Sequence, residues 1–173
     1  MKNVTWLHKS RGAQTPQATD TSAQRESARI AHVLQISSNA GKATSLADLA
    51  VLVLEDDPIT LFTIKECLMD IGIRNIRCVS SLRQLDDTDE AIRSGNFDLM
   101  IFDVALPDGT SFAKADLYAK QTNTPIIAFT GREDAADAEL VQYQAFKAIL
   151  HKPLTYHDLQ DKICDVIVNR VAP

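Results

Sequence analysis

The chain has 173 residues, 45% of them apolar and 24% charged, which suits one soluble globular domain with or without an appended segment. Its net charge of −5 excludes a general basic field for nucleic acid, so direct DNA binding is not expected. No apolar run approaches the roughly 18 residues of a membrane helix, so no membrane association is expected.

Residues 1–48 hold six basic and three acidic residues, whereas residues 49–173 hold twelve and twenty. The asymmetry divides the chain into an N-terminal extension, 1–48, and a folded domain, 49–173. Met1–Ser10 has no apolar core of its own, so no secretory signal is expected. Ser10–Ser22 is rich in Gln, Thr, Ser and Ala without an apolar period, and reads as flexible. Ile30, Val33, Leu34 and Ile36 lie near helical spacing and predict a short helix over about 22–36. His32 falls on it, but a lone short helix lacks the bundle that a phosphotransfer histidine needs. Ser37–Ser45 reads as a linker, and its Gly41-Lys42 lacks the upstream glycine of a phosphate-binding loop.

From Leu49 on, short apolar runs alternate with longer amphipathic stretches. The runs are Ala50–Leu54, Ile76–Val79, Leu99–Phe102, Ile126–Phe129 and Ala148–Leu150. Most are continuously apolar, as strands buried on both faces are. Asp57-Pro58 opens the first helix with a cap and a proline at its first position. Leu61, Ile64, Leu68 and Ile71 continue it, and Gly72 closes it. Asp86, Asp87, Asp89 and Glu90 crowd the second helix and predict a late start, near Thr88. The last helix opens at Thr155–Asp158 and runs through Leu159, Ile163, Val166 and Ile167. A β-α unit repeated five times predicts an α/β fold with an open, doubly wound parallel sheet. Cys67, Cys78 and Cys164 are widely spaced with no CxxC pair, and read as small apolar residues in a reducing, cytoplasmic setting.

Ligands of such sheets bind beyond the carboxyl ends of the strands. There stand Glu55, Asp56 and Asp57 after the first run, Asp103 after the third, Thr130 after the fourth and Lys152-Pro153 after the fifth. Crowded carboxylates repel unless a cation sits among them. Hard oxygen ligands of this kind suit Mg²⁺, which keeps waters and engages phosphate. A lysine and a hydroxyl would complete a cradle for phosphoryl oxygens. A central carboxylate can act as nucleophile and form an acyl phosphate, and Asp103 at the end of the central strand is the candidate. Asp57 reads as the helix cap, and Asp108-Gly109 as the turn after Pro107.

The strings Val51–Pro58 (VLVLEDDP), Phe102–Gly109 (FDVALPDG), Ala128–Gly131 (AFTG) and His151–Pro153 (HKP) resemble bacterial response-regulator receiver domains of two-component signalling. The resemblance covers roughly Leu49 to Asn169 and implies a flavodoxin-like five-stranded sheet of order 2-1-3-4-5, the order of this family's archetype. It implies that Asp103 accepts a phosphoryl group from a histidine kinase or a histidine phosphotransfer protein. Glu55 and Asp56 are the implied acidic pair, with Asp56 the more direct Mg²⁺ ligand and the Ala105 carbonyl a further one. Thr130 is the implied switch hydroxyl, and Lys152 the partner of a phosphoryl oxygen. The Lys152–Pro153 bond is expected to be cis.

The sequence also departs from the family. An aromatic switch residue often stands three positions before the lysine, where this chain has Ile149, and the usual glycine near the preceding helix is Ala145. The chain ends shortly after the last helix, so a stand-alone receiver without an effector domain is expected, signalling through protein contacts and not acting as an enzyme. The alternative is a receiver-like adaptor or scaffold that binds partners without phosphorylation. A haloacid-dehalogenase-type enzyme would want a second acid two residues after Asp103, where Ala105 stands.

Overall fold

Val51, Leu52, Val53 and Leu54 are all fully buried, which places their strand in the middle of the molecule with a layer packed on each face. The computed structural model describes residues 45–131 and 143–171, together with Arg25 and Ala28. Arg25 and Ala28 are helical. The rest of the helix expected over 22–36, His32 included, lies outside the described residues.

A single 3-10 turn, Leu46–Asp48, leads into β1 (Ala50–Leu54) and α1 (Pro58–Ile71). Then follow β2 (Asn75–Val79), two short helices, α2 (Leu82–Asp86) and α3 (Asp89–Arg93), and β3 (Leu99–Asp103). A small antiparallel hairpin of β4 (Ala105–Leu106) and β5 (Gly109–Thr110) comes next. The chain continues through α4 (Phe112–Gln121), β6 (Ile126–Thr130), β7 (Phe146–His151) and α5 (Tyr156–Val171). The main sheet has the order β2-β1-β3-β6-β7 with every pairing parallel. With the hairpin set aside, this is the expected order 2-1-3-4-5, a flavodoxin-like doubly wound fold.

Alternation along the strands separates two cores. Val51, Val53, Ile101, Ile127 and Phe129 face Ile64 and Leu68 of α1 and Leu159 and Ile163 of α5. Leu52, Leu54, Met100 and Phe102 face Leu85, Ile92, Ala115 and Tyr118 on the other side. Each fully buried Leu or Ile contributes roughly 2 kcal/mol of apolar burial. The edge strands β2 and β7 are only half-buried, so Arg77 and Lys147 interrupt their apolar runs.

Local chemistry sets the element ends. Asp57 accepts the Thr60 N–H at 2.7 Å, and Gly72 ends α1 at φ 110°, as expected. The second helical segment departs from expectation: it begins at Leu82, not near Thr88, and breaks between Asp86 and Asp89. Ser81 Oγ accepts the Gln84 N–H at 3.2 Å. The Asp108 carboxylate, brought round by the hairpin, accepts from Leu82 N at 3.2 Å and Arg83 N at 3.3 Å. Asp108 is therefore a helix cap as well as a turn residue, and it satisfies N–H groups that the helix itself leaves unpaired. The run of aspartates then ends α2, because short polar side chains compete with the helical backbone.

The register of β7 sets where Lys152 leaves the sheet. Ile126 pairs with Phe146, but Ile127 pairs with Ala148, so a bulge at Lys147 shifts the rest of the strand by one residue. It brings His151 opposite Thr130 and lets Lys152 N donate to Thr130 O at 2.8 Å.

Candidate functional site

Four strands of the all-parallel main sheet, β1, β3, β6 and β7, bring site residues to one rim. β1 runs out into Glu55-Asp56-Asp57, where the Glu55 N–H still bonds to Val79 O at 3.1 Å. Pro58 starts α1 at once, so these three residues must turn away from the sheet in a fixed way. Glu55 turns inward and is 0% exposed, Asp56 is half-buried, and Asp57 caps the helix. Asp103 is the last residue of β3 and is buried. Its neighbour in β6 is Phe129, so Thr130 lies one residue further along the same edge, also buried.

Carboxylate oxygens of Glu55, Asp56 and Asp103 lie within 4.8 Å of one another. Lys152 reaches into this group from the end of β7. Its Nζ donates to Asp103 Oδ2 at 2.7 Å and to Glu55 Oε1 at 3.0 Å, and lies 2.8 Å from Glu55 Oε2. The ammonium also sits 4.9 Å from the centroid of the Phe129 ring, a cation–π contact at a partly desolvated position. The Ala105 N–H donates to Asp103 Oδ1 at 3.0 Å, so both oxygens of Asp103 are held. The Asp57 N–H steadies Glu55 Oε1 at 3.2 Å. The Lys152–Pro153 bond is cis, as expected.

Charge is unbalanced here, with three carboxylates facing one ammonium. Burial pushes the Glu55 carboxyl up to about 7, against the hydrogen bond from Lys152 and with the help of the Asp103 charge. Burial works to lower the Lys152 ammonium, but hydrogen bonds to Asp103 and Glu55 outweigh it and the net shift is upward. The donor set is all hard oxygen, and negative charge remains after Lys152 is counted. Glu55, Asp56 and Asp103 could therefore hold a divalent metal ion.

The structure thus brings together Glu55, Asp56, Asp103 and Lys152, with Ala105 bonded to Asp103 through its N–H and Thr130 on the adjoining strand. Sequence reading missed Phe129, whose place under Lys152 has no signal beyond an apolar residue in a strand. It also missed the setting of Ile149. That side chain packs on Val104 and Ala128, the small cluster against which Phe112 and Phe146 also pack. Phe112 stacks on Tyr143 at 4.4 Å between centroids and meets Phe146 edge-on at 6.0 Å. Aromatic rings thus share a cluster with Ile149 while the position itself is aliphatic.

The family model of the response regulator receiver domain matches residues 51–164. The chain belongs to this family. Solved structures agree on the fold of this receiver domain. The chemotaxis protein CheY4 of Vibrio cholerae is 22% identical, with 68% of this chain and 98% of that one covered, at a TM-score of 0.58. The receiver domain of a sensor histidine kinase from Pseudomonas aeruginosa, solved with a magnesium ion in its active-site cleft, is 24% identical; coverage is 69% and 97%, and the TM-score 0.59. A CheY-like receiver domain protein from Methanospirillum hungatei is 21% identical, with 70% and 95% covered and a TM-score of 0.61. No curated protein matches the chain. Among the described residues no helix is long and apolar enough to cross a membrane.

Proposed function

We propose that this receiver domain is a phosphorylation switch that takes a phosphoryl group onto Asp103. The observation that carries the reading is the Lys152 ammonium, hydrogen-bonded at 2.7 Å to a buried Asp103 carboxylate that lies among two further acids. A carboxylate held at the end of a rigid strand is oriented for attack without a search through rotamers. An Asp103 oxygen attacks phosphorus, the P–N bond of a phosphohistidine on a kinase or phosphotransfer protein breaks, and the imidazole leaves with the electron pair. Lys152 and the Thr130 hydroxyl then serve the phosphoryl oxygens, and the Ala105 N–H continues to hold the other oxygen of Asp103.

Asp56, Asp103 and the Ala105 carbonyl would hold Mg²⁺, with Glu55 in support. When bound, the ion supplies charge neutralisation for the incoming phosphoryl group. The chemistry of the chain is confined to gaining and losing its own phosphoryl group, without turnover of another substrate. Output passes through protein contacts.

The test is incubation with Mg²⁺ and acetyl phosphate, followed by intact mass spectrometry. One base-labile phosphoryl group is expected on the wild-type chain and none on Asp103→Asn, because an amide is not a nucleophile here. Undiminished labelling of Asp103→Asn would overturn the assignment. A folded wild-type chain that binds Mg²⁺ but takes no label would favour an adaptor that works without phosphorylation.

A further inference from the structure

Strand register lays one row of side chains across the sheet at the rim. Leu54 pairs with Phe102, and Asp103 with Phe129, so Glu55 follows beside Asp103 and Asp103 stands beside Phe129. Phe129 in turn pairs with Leu150 of β7. Val53, Ile101, Phe129 and Leu150 all belong to the core beneath α1 and α5. By alternation Glu55 and Asp103 point to that side too.

Lys152 follows the outermost of these strands, yet its ammonium bonds to acids at the ends of β3 and β1. Neighbouring strands are about 4.8 Å apart, so the side chain must cross the full width of β6. It crosses between Phe129 and Gly131. Lys152 N is fixed to Thr130 O at 2.8 Å. A Cβ added to Gly131 would meet the Lys152 stem at 3.7 Å from Cδ and 3.8 Å from Cβ. The ammonium ends over the Phe129 ring, 4.9 Å from its centroid. The ring is locked in the core at 1% exposure, whereas the lysine is partly open to solvent.

We propose that Phe129 is a positioning residue for phosphoryl transfer, its ring face holding the Lys152 ammonium at the acid cluster while the ammonium changes hydrogen-bond partners. The assignment rests on the reading of Asp103 as phosphoryl acceptor. Lys152 Nζ bonds to Asp103 Oδ2 at 2.7 Å, whereas the Ala105 N–H holds Oδ1. Once Oδ2 carries the phosphoryl group, the negative charge lies on the phosphoryl oxygens and Lys152 must follow it. A hydrogen bond is directional and breaks in such a move. The attraction of a cation to a ring face has no single acceptor atom, so it persists as the ammonium slides. Without the ring, a flexible four-carbon stem must be held at the rim through that exchange by hydrogen bonds alone. Glu55, one strand beyond Asp103, would then draw the ammonium away from the phosphoryl group. A leucine at 129 would fill the core but offers no negative face.

The test replaces Phe129 in the full chain by phenylalanines carrying one, two or three ring fluorines, which withdraw charge from the ring face at nearly constant shape. Initial rates of labelling by acetyl phosphate at saturating Mg²⁺ should fall with each fluorine, to roughly three- to tenfold below the wild type at the third. In the wild type, the Lys152 ε-methylene protons should lie upfield, as protons over a ring face do, both in the free chain and after addition of Mg²⁺ and beryllofluoride. Equal rates across the fluorine series would overturn the proposal. So would a rate that drops in Phe129→Leu but ignores fluorine, because Phe129 would then act by packing alone. A methylene signal that leaves its upfield position on addition of beryllofluoride would show the ammonium abandoning the ring, and would overturn it too. A wild-type chain that takes no label removes the reading of Asp103 and the role of the ring in transfer with it. An upfield methylene signal in that chain identifies this case, since the contact then stands where the reaction does not.

Discussion

Glu55 is fully buried and depends for its charge balance on one ammonium, which it shares with Asp103. Removing that ammonium by Lys152→Met leaves the two buried acids without a cation, and because Glu55 already lies near 7 it takes up a proton, so the loss of stability at neutral pH is held to about 1–3 kcal/mol. Glu55→Gln in the same chain should restore part of it, and urea unfolding of the four members of the cycle measures the coupling. Additive losses would show that Lys152 and Glu55 act independently. Asp56 makes the opposite case, because it adds a like charge without a hydrogen bond to Lys152. Asp56→Asn should raise the thermal midpoint by roughly a few degrees in the presence of a chelator. Added Mg²⁺ should raise the wild-type midpoint by mass action and leave that of the variant nearly unchanged. A midpoint that falls in Asp56→Asn without metal would mean that the acids are not in conflict. These four side chains were legible in the sequence because each stands within two residues of the end of an apolar run, and a parallel sheet delivers such positions to one rim. Phe129 was not legible, since the bulge at Lys147 that sets the β7 register beside it leaves no mark in composition or period.

The ends of α1 show how far local sequence reaches. The Thr60 N–H, more than any other group, holds the Asp57 carboxyl below its ordinary value. A lowered carboxyl stabilises the fold above its unfolded value, near pH 4, and the contribution is lost as the pH falls through the lower folded value. Asp57→Asn keeps a capping side chain without that titration, so its stability should fall less between neutral pH and pH 3 than that of the wild type, as followed by circular dichroism. Parallel losses in the two chains would remove the cap from the acid response. At the other end, Gly72 has φ 110°, a region that costs an L side chain about 1–2 kcal/mol. Space is not the obstacle, because an added Cβ would meet Leu46 at an ordinary 3.7 Å. Gly72→Ala should therefore destabilise by that amount in urea, and substituting Leu46 should not relieve it. Both signals lie within four residues of the helix end and could be read directly. The start of α2 could not, because half of its cap is Asp108, 26 residues from Leu82. Contacts of that range depend on the hairpin of β4 and β5, whose two-residue strands are too short to carry a hydrophobic period.

At the scale of the whole molecule, the boundary of the folded unit follows from where the core stops. Leu49 is buried and Leu46 packs on the same cluster as α1 and α5, so the 3-10 turn Leu46–Asp48 belongs to the domain in packing terms. The strands, the helices on both faces and the acid cluster all lie from residue 45 onward. A fragment of residues 45–173 should therefore unfold in one cooperative transition and keep the labelling of Asp103 by acetyl phosphate. A fragment beginning at residue 50 loses both leucines. It leaves the end of the core beside Ile71 and Ile73 open to water, and should be less stable by about 2–5 kcal/mol, the range for deleting a large buried side chain. Urea titration of the two fragments with a common slope decides the matter, because the extra residues change little of the surface exposed on unfolding. Equal midpoints would place the boundary after Leu49. A fragment 45–173 that fails to fold would show that residues before 45 complete the core.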